Sequence, residues 1–183
     1  MRGSAMNALH AACRRTATVL TLGALALSMV ACGGITPKRM VPETAAGPER
    51  KVALRVRVAP VTGSHETFFG GPAFPTNEQV HEALVATLEH AGIFAGVSPN
   101  AGDVDLTTTL LSTNQQGFIP YTVGLVANYK FTGRDGTVMW SETYESSFSA
   151  SNLGGATRTI NANEGAVREN LKALVQGIRE RWR

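Results

Sequence analysis

Cysteine is scarce in this 183-residue chain: there are two, Cys13 and Cys32. Two thiols cannot build the disulfide framework on which small secreted scaffolds depend. Charged residues make up only 17% and hydrophobic residues 43%. That balance fits one ordinary globular domain and excludes collagen-like, mucin-like and low-complexity disordered chains. Surplus charge of one sign is also missing where it would matter. The formal charge is +3, yet Arg2, Arg14 and Arg15 supply it; from Cys32 onward fourteen basic side chains face fourteen acidic ones. A neutral domain is a poor nucleic-acid binder, because such affinity rests on neutralised phosphates. No nucleic-acid partner is expected.

Catalytic signatures are lacking too. There is no Gly-x-Ser-x-Gly elbow, no phosphate-cradling Walker loop and no dinucleotide fingerprint. His81 and His90 lie nine residues apart, so one helical face cannot present both to one metal ion. Asp103 and Asp105 have the composition of an acid–base pair, but their place at a strand entrance reads as a solvated strand end. Glu142 and Glu145 read the same way, and Asn161, Asn163 and Glu164 suit the start of a helix. No catalytic, cofactor or metal-binding residue is assigned.

What is present begins with an address. Arg14 and Arg15 precede the uncharged run Ala17–Val30. This run falls short of the roughly 20 residues of a spanning helix. A basic start, a short apolar stretch and a small residue before the cut mark a secretory signal. Met29-Val30-Ala31-Cys32 resembles the bacterial lipobox, with Met29 where that motif prefers Leu. The resemblance implies a cut between Ala31 and Cys32, a diacylglyceryl group on the Cys32 sulfur and an acylated amino terminus. Cys13 would leave with the signal, and lipidation then accounts for a lone cysteine in an oxidising compartment. Two or three acyl chains hold a protein on a membrane where one is marginal. Gly33 follows the cysteine where inner-membrane retention would show Asp; by resemblance to diderm lipoproteins this favours the periplasmic face of the outer membrane.

Residues 1–31 are thus read as a cleaved signal, 32–50 as a lipidated cysteine and tether, and 51–183 as one periplasmic domain. The tether, Gly33–Arg50, holds three prolines and three glycines without helical or strand period. As a coil its ends would lie about 25 Å apart. Val52, Leu54, Val56 and Val58 alternate as a strand that Pro60 ends. Thr76-Asn77-Glu78-Gln79 is a capping box opening a helix over about 77–91, with Gly92 as its stop. Residues 93–102 read as a connection. Strands follow at Val104–Leu110, Val123–Phe131 and, beyond the tight turn Gly133–Gly136, Val138–Phe148 with a bulge midway. After a loop over 149–158, apolar residues from Ile160 to Trp182 recur at helical spacing over about 22 residues.

The expected fold is therefore α+β: a two-layer β-α-β-β-β-α domain, a four-stranded mixed sheet with two helices on one face. The first two strands should be parallel and the last three an antiparallel meander. That arrangement brings the loops 61–75 and 113–121 to one end. Phe68, Phe69, Phe74, Phe118, Ile119 and Tyr121 lie in them, either closing the core or forming a binding rim for protein, peptidoglycan or lipid.

The mature chain is similar to small diderm outer-membrane lipoproteins. The likeness rests on the lipobox, on Phe74–Val80 leading into Ala83-Leu84, on the Tyr129–Trp140 hairpin, and on Ala162-Asn163-Glu164-Gly165-Ala166-Val167-Arg168-Glu169-Asn170. More distantly it looks like the auxiliary lipoproteins of ABC-type lipid transport and the lipopolysaccharide-assembly lipoprotein. That resemblance implies a lipid-anchored, non-enzymatic adaptor with an envelope protein partner, and no cofactor beyond the lipid on Cys32. The alternatives are a periplasmic cell-wall or glycan-active enzyme and a lipid or ligand carrier.

Overall fold

The computed structural model describes residues 34–43, 51–63 and 74–182. They form a short helix α1 (Pro37–Met40), strands β1 (Val52–Val58) and β2 (Thr62–Gly63), and helix α2 (Asn77–Ala91). Strands β3 (Phe94–Ser98), β4 (Val104–Gln116), β5 (Tyr121–Gly133) and β6 (Val138–Ala150) follow, then the long helix α3 (Gly155–Arg181). The sheet runs β3-β1-β4-β5-β6, with β2 beside β4. β1 is parallel to β3 and to β4, and β4, β5 and β6 form an antiparallel meander.

The α+β class and the mixed sheet agree with the sequence pattern. The counts do not: the described residues hold six strands and three helices rather than four and two. The extra elements are too short to show a period. β3 is Phe-Ala-Gly-Val-Ser, in which only Phe94 is fully buried. β2 has two residues, and α1 four. The first strand stops at Val58, just before Pro60 as expected, and the short β2 resumes pairing beyond it. Val58 lies opposite Leu106 and Thr62 opposite Thr109, so β1 and β2 line the same flank of β4. A proline without an N–H separates them. The hairpin bulge sits beside the turn, between Phe131 and Thr132, not midway along the strand.

The core lies between one sheet face and the two long helices. Val123, Leu125, Ala127, Tyr129 and Phe131 alternate inward along β5 and are all buried. α2 contributes Val80, Ala83, Leu84 and Leu88, and α3 contributes Ala162, Ala166, Leu171, Leu174 and Ile178. Burial of each larger side chain contributes about 1.5–3 kcal/mol before entropy. The capping box on α2 is formed as read: Thr76 Oγ1 accepts from Gln79 N at 3.2 Å, and Gln79 Oε1 accepts from Thr76 N at 3.0 Å. Gly92 takes a left-handed φ of 60° and stops the helix.

Helix α3 is 27 residues long, roughly 40 Å, and begins five residues earlier than its apolar stripe. Two glycines let it approach β6. A methyl group at Gly165 would overlap the Phe148 ring, and one at Gly177 would overlap the Tyr144 hydroxyl. A buried polar joint sets the register. Tyr129 Oη donates to Asn170 Oδ1 at 2.8 Å, and Asn170 Nδ2 donates to Tyr144 O at 3.0 Å. Burial, reinforced by Tyr144, pushes the Tyr129 phenol well above its ordinary range, so it remains a donor. At the far end Trp182 stacks edge-on against Phe131 at 5.0 Å and Phe94 at 5.8 Å, and closes the core.

Overpacking should make Gly165→Ala destabilising by about 1–3 kcal/mol, more than the roughly 1 kcal/mol alanine gains in a helix. Gly155→Ala, where a methyl would meet nothing closer than 4.0 Å, should leave the melting temperature unchanged or raised. Thermal unfolding of the two variants checks this.

A candidate interface at one end of the sheet

The end of the sheet where β5 begins and β6 finishes collects the features that the fold itself does not need. Tyr121 pairs with Ala150 there. The hairpin Gly117–Pro120 therefore lies beside the loop Ser151–Gly154 that leads into α3. The expected loop over 149–158 shrinks to these few residues, because β6 reaches Ala150 and α3 starts at Gly155.

The aromatic rim divides. Phe118 and Ile119 project outward, 77% and 55% exposed. Phe74 and Tyr121 do not belong to a rim: both are core residues, at 3% and 8% exposure. Tyr121 points inward because strand alternation requires it, and its hydroxyl donates to Gln115 Oε1 at 2.8 Å. Burial raises its phenol above the ordinary range. Gln115 Nε2 in turn donates to the buried Asn163 Oδ1 at 3.2 Å. Phe68 and Phe69 lie outside the described residues, as do Ala31 and Cys32.

Two residues join this end that the sequence reading passed over. Leu153 is 90% exposed at the tip of the second loop. Arg158 is 3% exposed, with no carboxylate paired to it among the described residues. Its Nη1 donates to Asn152 O at 2.9 Å, and its guanidinium lies 4.9 Å from the centre of the Phe118 ring. One buried cation thus braces both loops. A signal for it existed: no charged residue occurs from Ser146 to Thr157 or from Leu106 to Tyr129, so Arg158 is the first charge after a long neutral stretch. Helix α3 starts here without a side-chain cap and without an acid in its first turn. The positive end of its dipole faces outward unneutralised.

Beside this end the chain that precedes the domain is fastened down. The expected free tether is absent over residues 35–42. Thr36 N donates to Glu164 Oε1 at 2.8 Å, and Arg39 Nη1 lies 3.7 Å from Glu164 Oε2. Gln79 Nε2 donates to Ile35 O at 3.1 Å, Arg168 Nη1 donates to Arg39 O at 3.0 Å, and Met40 is fully buried. Three prolines and three glycines read as coil, yet coil composition does not prevent docking when partners lie at hand. Between this segment and the end of β6 runs a groove of about 940 Å³, bordered by Lys38, Pro42, Phe148, Thr157, Asn161 and Arg168.

The acidic candidates are committed elsewhere. Asp103 accepts from Arg55 N at 2.9 Å and from Arg134 at 3.0 Å. Asp105 takes a two-pronged contact from Arg57, at 2.6 and 2.5 Å. The Arg57 hydrogen bond holds the Asp105 carboxyl below its ordinary range. His81 Nδ1 sits 3.2 Å from Ala59 O. Among the described residues no cluster of three His, Cys, Asp or Glu is placed to hold a metal, and no helix is long and apolar enough to cross a membrane.

No family model matches the chain, and no curated protein matches it in sequence. Solved structures do match. A Xanthomonas campestris protein of the family DUF330 superposes with a TM-score of 0.56 at 16% identity, covering 75% of this chain and 94% of that one. An uncharacterized protein gives 0.53 at 12%, covering 74% and 99%. A hypothetical protein from Chlamydia trachomatis gives 0.52 at 11%, covering 72% and 98%. At these identities the likeness is one of fold.

Three variants probe this end. Glu164→Ala should cost about 1.5–3 kcal/mol, the worth of hydrogen bonds to a buried charge, and speed hydrogen exchange at the Thr36 amide. Glu164→Gln, which keeps an acceptor for Thr36, should recover most of that. Arg57→Ala should lower the melting temperature slightly at pH 7. A depressed carboxyl stabilises above its unfolded pKa of about 3.9 and loses that as pH falls through the lower folded value. The difference from wild type should therefore persist down to about pH 4 and fade only as the pH drops further, through the lower folded value.

Proposed function

We propose that this protein is a lipid-anchored, non-enzymatic adaptor or accessory subunit of an envelope system for outer-membrane assembly or lipid transport, held on the periplasmic face by acylated Cys32. The single observation that carries the reading is the bond from Thr36 N to Glu164. Only three residues separate Cys32 from Thr36, four chain steps with a reach of at most about 14 Å. An anchor at Cys32 would therefore hold the folded domain against the membrane rather than let it wander on a long leash. Fastening the chain so close to a lipobox cysteine has a use in a protein that works beside a bilayer.

Further support comes from the carboxylates. Asp103 and Asp105 are occupied by arginines, which suits a body that binds rather than reacts. The class of machine proposed here follows only the sequence resemblance to lipid-transport and lipopolysaccharide-assembly lipoproteins. The groove beside α3 favours a second reading, carriage of a lipid or other small ligand, since its lining mixes basic Lys38 and Arg168 with acidic Glu43 and Glu169 around Phe148.

The test is mass spectrometry of the protein purified from cell envelopes, with crosslinking before lysis. The expected species begins at Cys32 and carries two or three acyl chains. Cys32→Ser should leave the membrane fraction and lose the crosslinked transport or assembly complex. An unmodified Cys32 thiol, an intact leader, or turnover of cell-wall or glycan substrates by the purified protein would overturn the proposal.

A further inference from the structure

We infer that the end of the domain bearing Phe118, Ile119 and Leu153 dips into the phospholipid bilayer, giving the protein a second membrane contact besides the lipid. The inference rests on the anchored reading above and names the surface that this end meets. Several independent features converge on it. The three side chains stand at the tips of two neighbouring loops, 77%, 55% and 90% exposed. They project rather than enclose a pocket, which suits insertion among acyl chains more than seating a partner's side chain. Tyr121 and Phe74 already close the core beneath them.

The surroundings are built for low desolvation cost. No acidic or basic residue occurs between Asp105 and Lys130 or between Glu145 and Arg158, so both loops and their flanking strand ends are free of charge. Burial of an ionised group near hydrocarbon is what such a surface must avoid. The first charge met beyond the Ser151–Gly154 loop is cationic. Arg158 is almost wholly buried under Phe118; its Nε has no hydrogen-bond partner and the side chain has no acid among the described residues. Together with the uncapped start of α3 it sets a positive field behind the apolar tips, the sign that lipid phosphates favour. Arg158 is a positioning residue: it holds Asn152 O and the Phe118 ring, and so keeps both tips pointing the same way.

Chain length agrees. Glu164, where Thr36 is fastened, lies nine residues into α3 from Gly155, roughly 14 Å along the axis. The four residues back to Cys32 span a similar distance at most, about 14 Å. A bilayer that holds the Cys32 acyl chains is thus within reach of the loop tips.

The test places a tryptophan at each tip of the full-length protein as purified from envelopes. Phe118→Trp, Leu153→Trp and the control Val138→Trp are reconstituted in phosphatidylethanolamine–phosphatidylglycerol vesicles with brominated acyl chains. Val138 is 55% exposed but opens β6 at the opposite end of the sheet. After subtraction of wild-type emission, residues seated ~5–10 Å deep should lose roughly half of the added fluorescence at positions 118 and 153, and none at 138. Phe118→Ser with Ile119→Ser and Leu153→Ser should keep the wild-type melting temperature and abolish quenching of a remaining probe at Ser151→Trp. Absence of quenching at 118 and 153, or equal quenching at 138, overturns the inference. The mass spectrum of the same samples reports separately on Cys32. Quenching at the tips with an unmodified thiol would overturn the anchored reading alone; an acylated Cys32 with silent tips would overturn this inference alone.

Discussion

A buried carboxylate governs how this chain leaves its domain. Glu164 sits in the first half of α3 with 2% of its surface exposed. Burying an ionised carboxylate is tolerable only when hydrogen bonds and a countercharge replace water. Here the replacement comes from far back in the chain: the Thr36 amide, 128 positions earlier, its hydroxyl at 3.4 Å, and Arg39. Arg39 is more than half exposed, so its ionic share is small and the amide carries the joint. The consequence is coupling. α3 is fully satisfied only while the segment before the domain is docked, and the segment is docked only while α3 is folded on the sheet.

The two ends of the sheet show how similar residues take different roles. At one end Phe94, Phe131, Trp140 and Trp182 form a chain of ring contacts with centroids 5.0–6.0 Å apart. They fill the space left where α3 finishes. At the other end the core is already closed by Phe74, by Tyr121 and by the polar link from Tyr121 through Gln115 to Asn163. Phe118 and Ile119 are left with no interior to fill. Their exposure follows from strand register, because the residues of the hairpin tip lie beyond the last inward position at Tyr121.

Periodicity explains what could be read beforehand. The long strands, the capping box at Thr76 and the stripe of α3 are legible because each repeats a physical rule over many residues. Elements of two to five residues leave no such trace, so β2, β3 and α1 needed tertiary context. The docked segment was illegible for a related reason. Its two prolines describe what the chain prefers alone, whereas Glu164, Gln79 and Arg168 decide where it lies. The rim was half legible. Grouping the loops at one end followed from parallel topology, but separating Phe74 and Tyr121 from Phe118 and Ile119 required side-chain direction. Leu153 was hidden because a single leucine among Ser, Asn and Gly carries no pattern, and Arg158 left only the faint mark of ending a long uncharged stretch.

A point anchor fixes position but not attitude. A domain held only by acyl chains at Cys32 can still tilt and spin about its attachment. The proposed second contact at Phe118, Ile119 and Leu153 would remove the tilt, and would act through rigid elements, since β5 starts and β6 finishes at that end. The strands would then stand away from the bilayer, each of 13 residues and roughly 43 Å long. Their open face, with Thr107, Thr109, Asn128, Ser141 and Thr143, would face sideways, and the Gly133–Gly136 turn would be farthest out. The proposed adaptor role would gain from such fixed presentation, because a partner would meet a surface already oriented and lose less rotational freedom on binding. The same logic accounts for the brace at Arg158. Were the two loops independent, each tip would enter the bilayer at its own angle, and the attitude of the sheet would again be undefined.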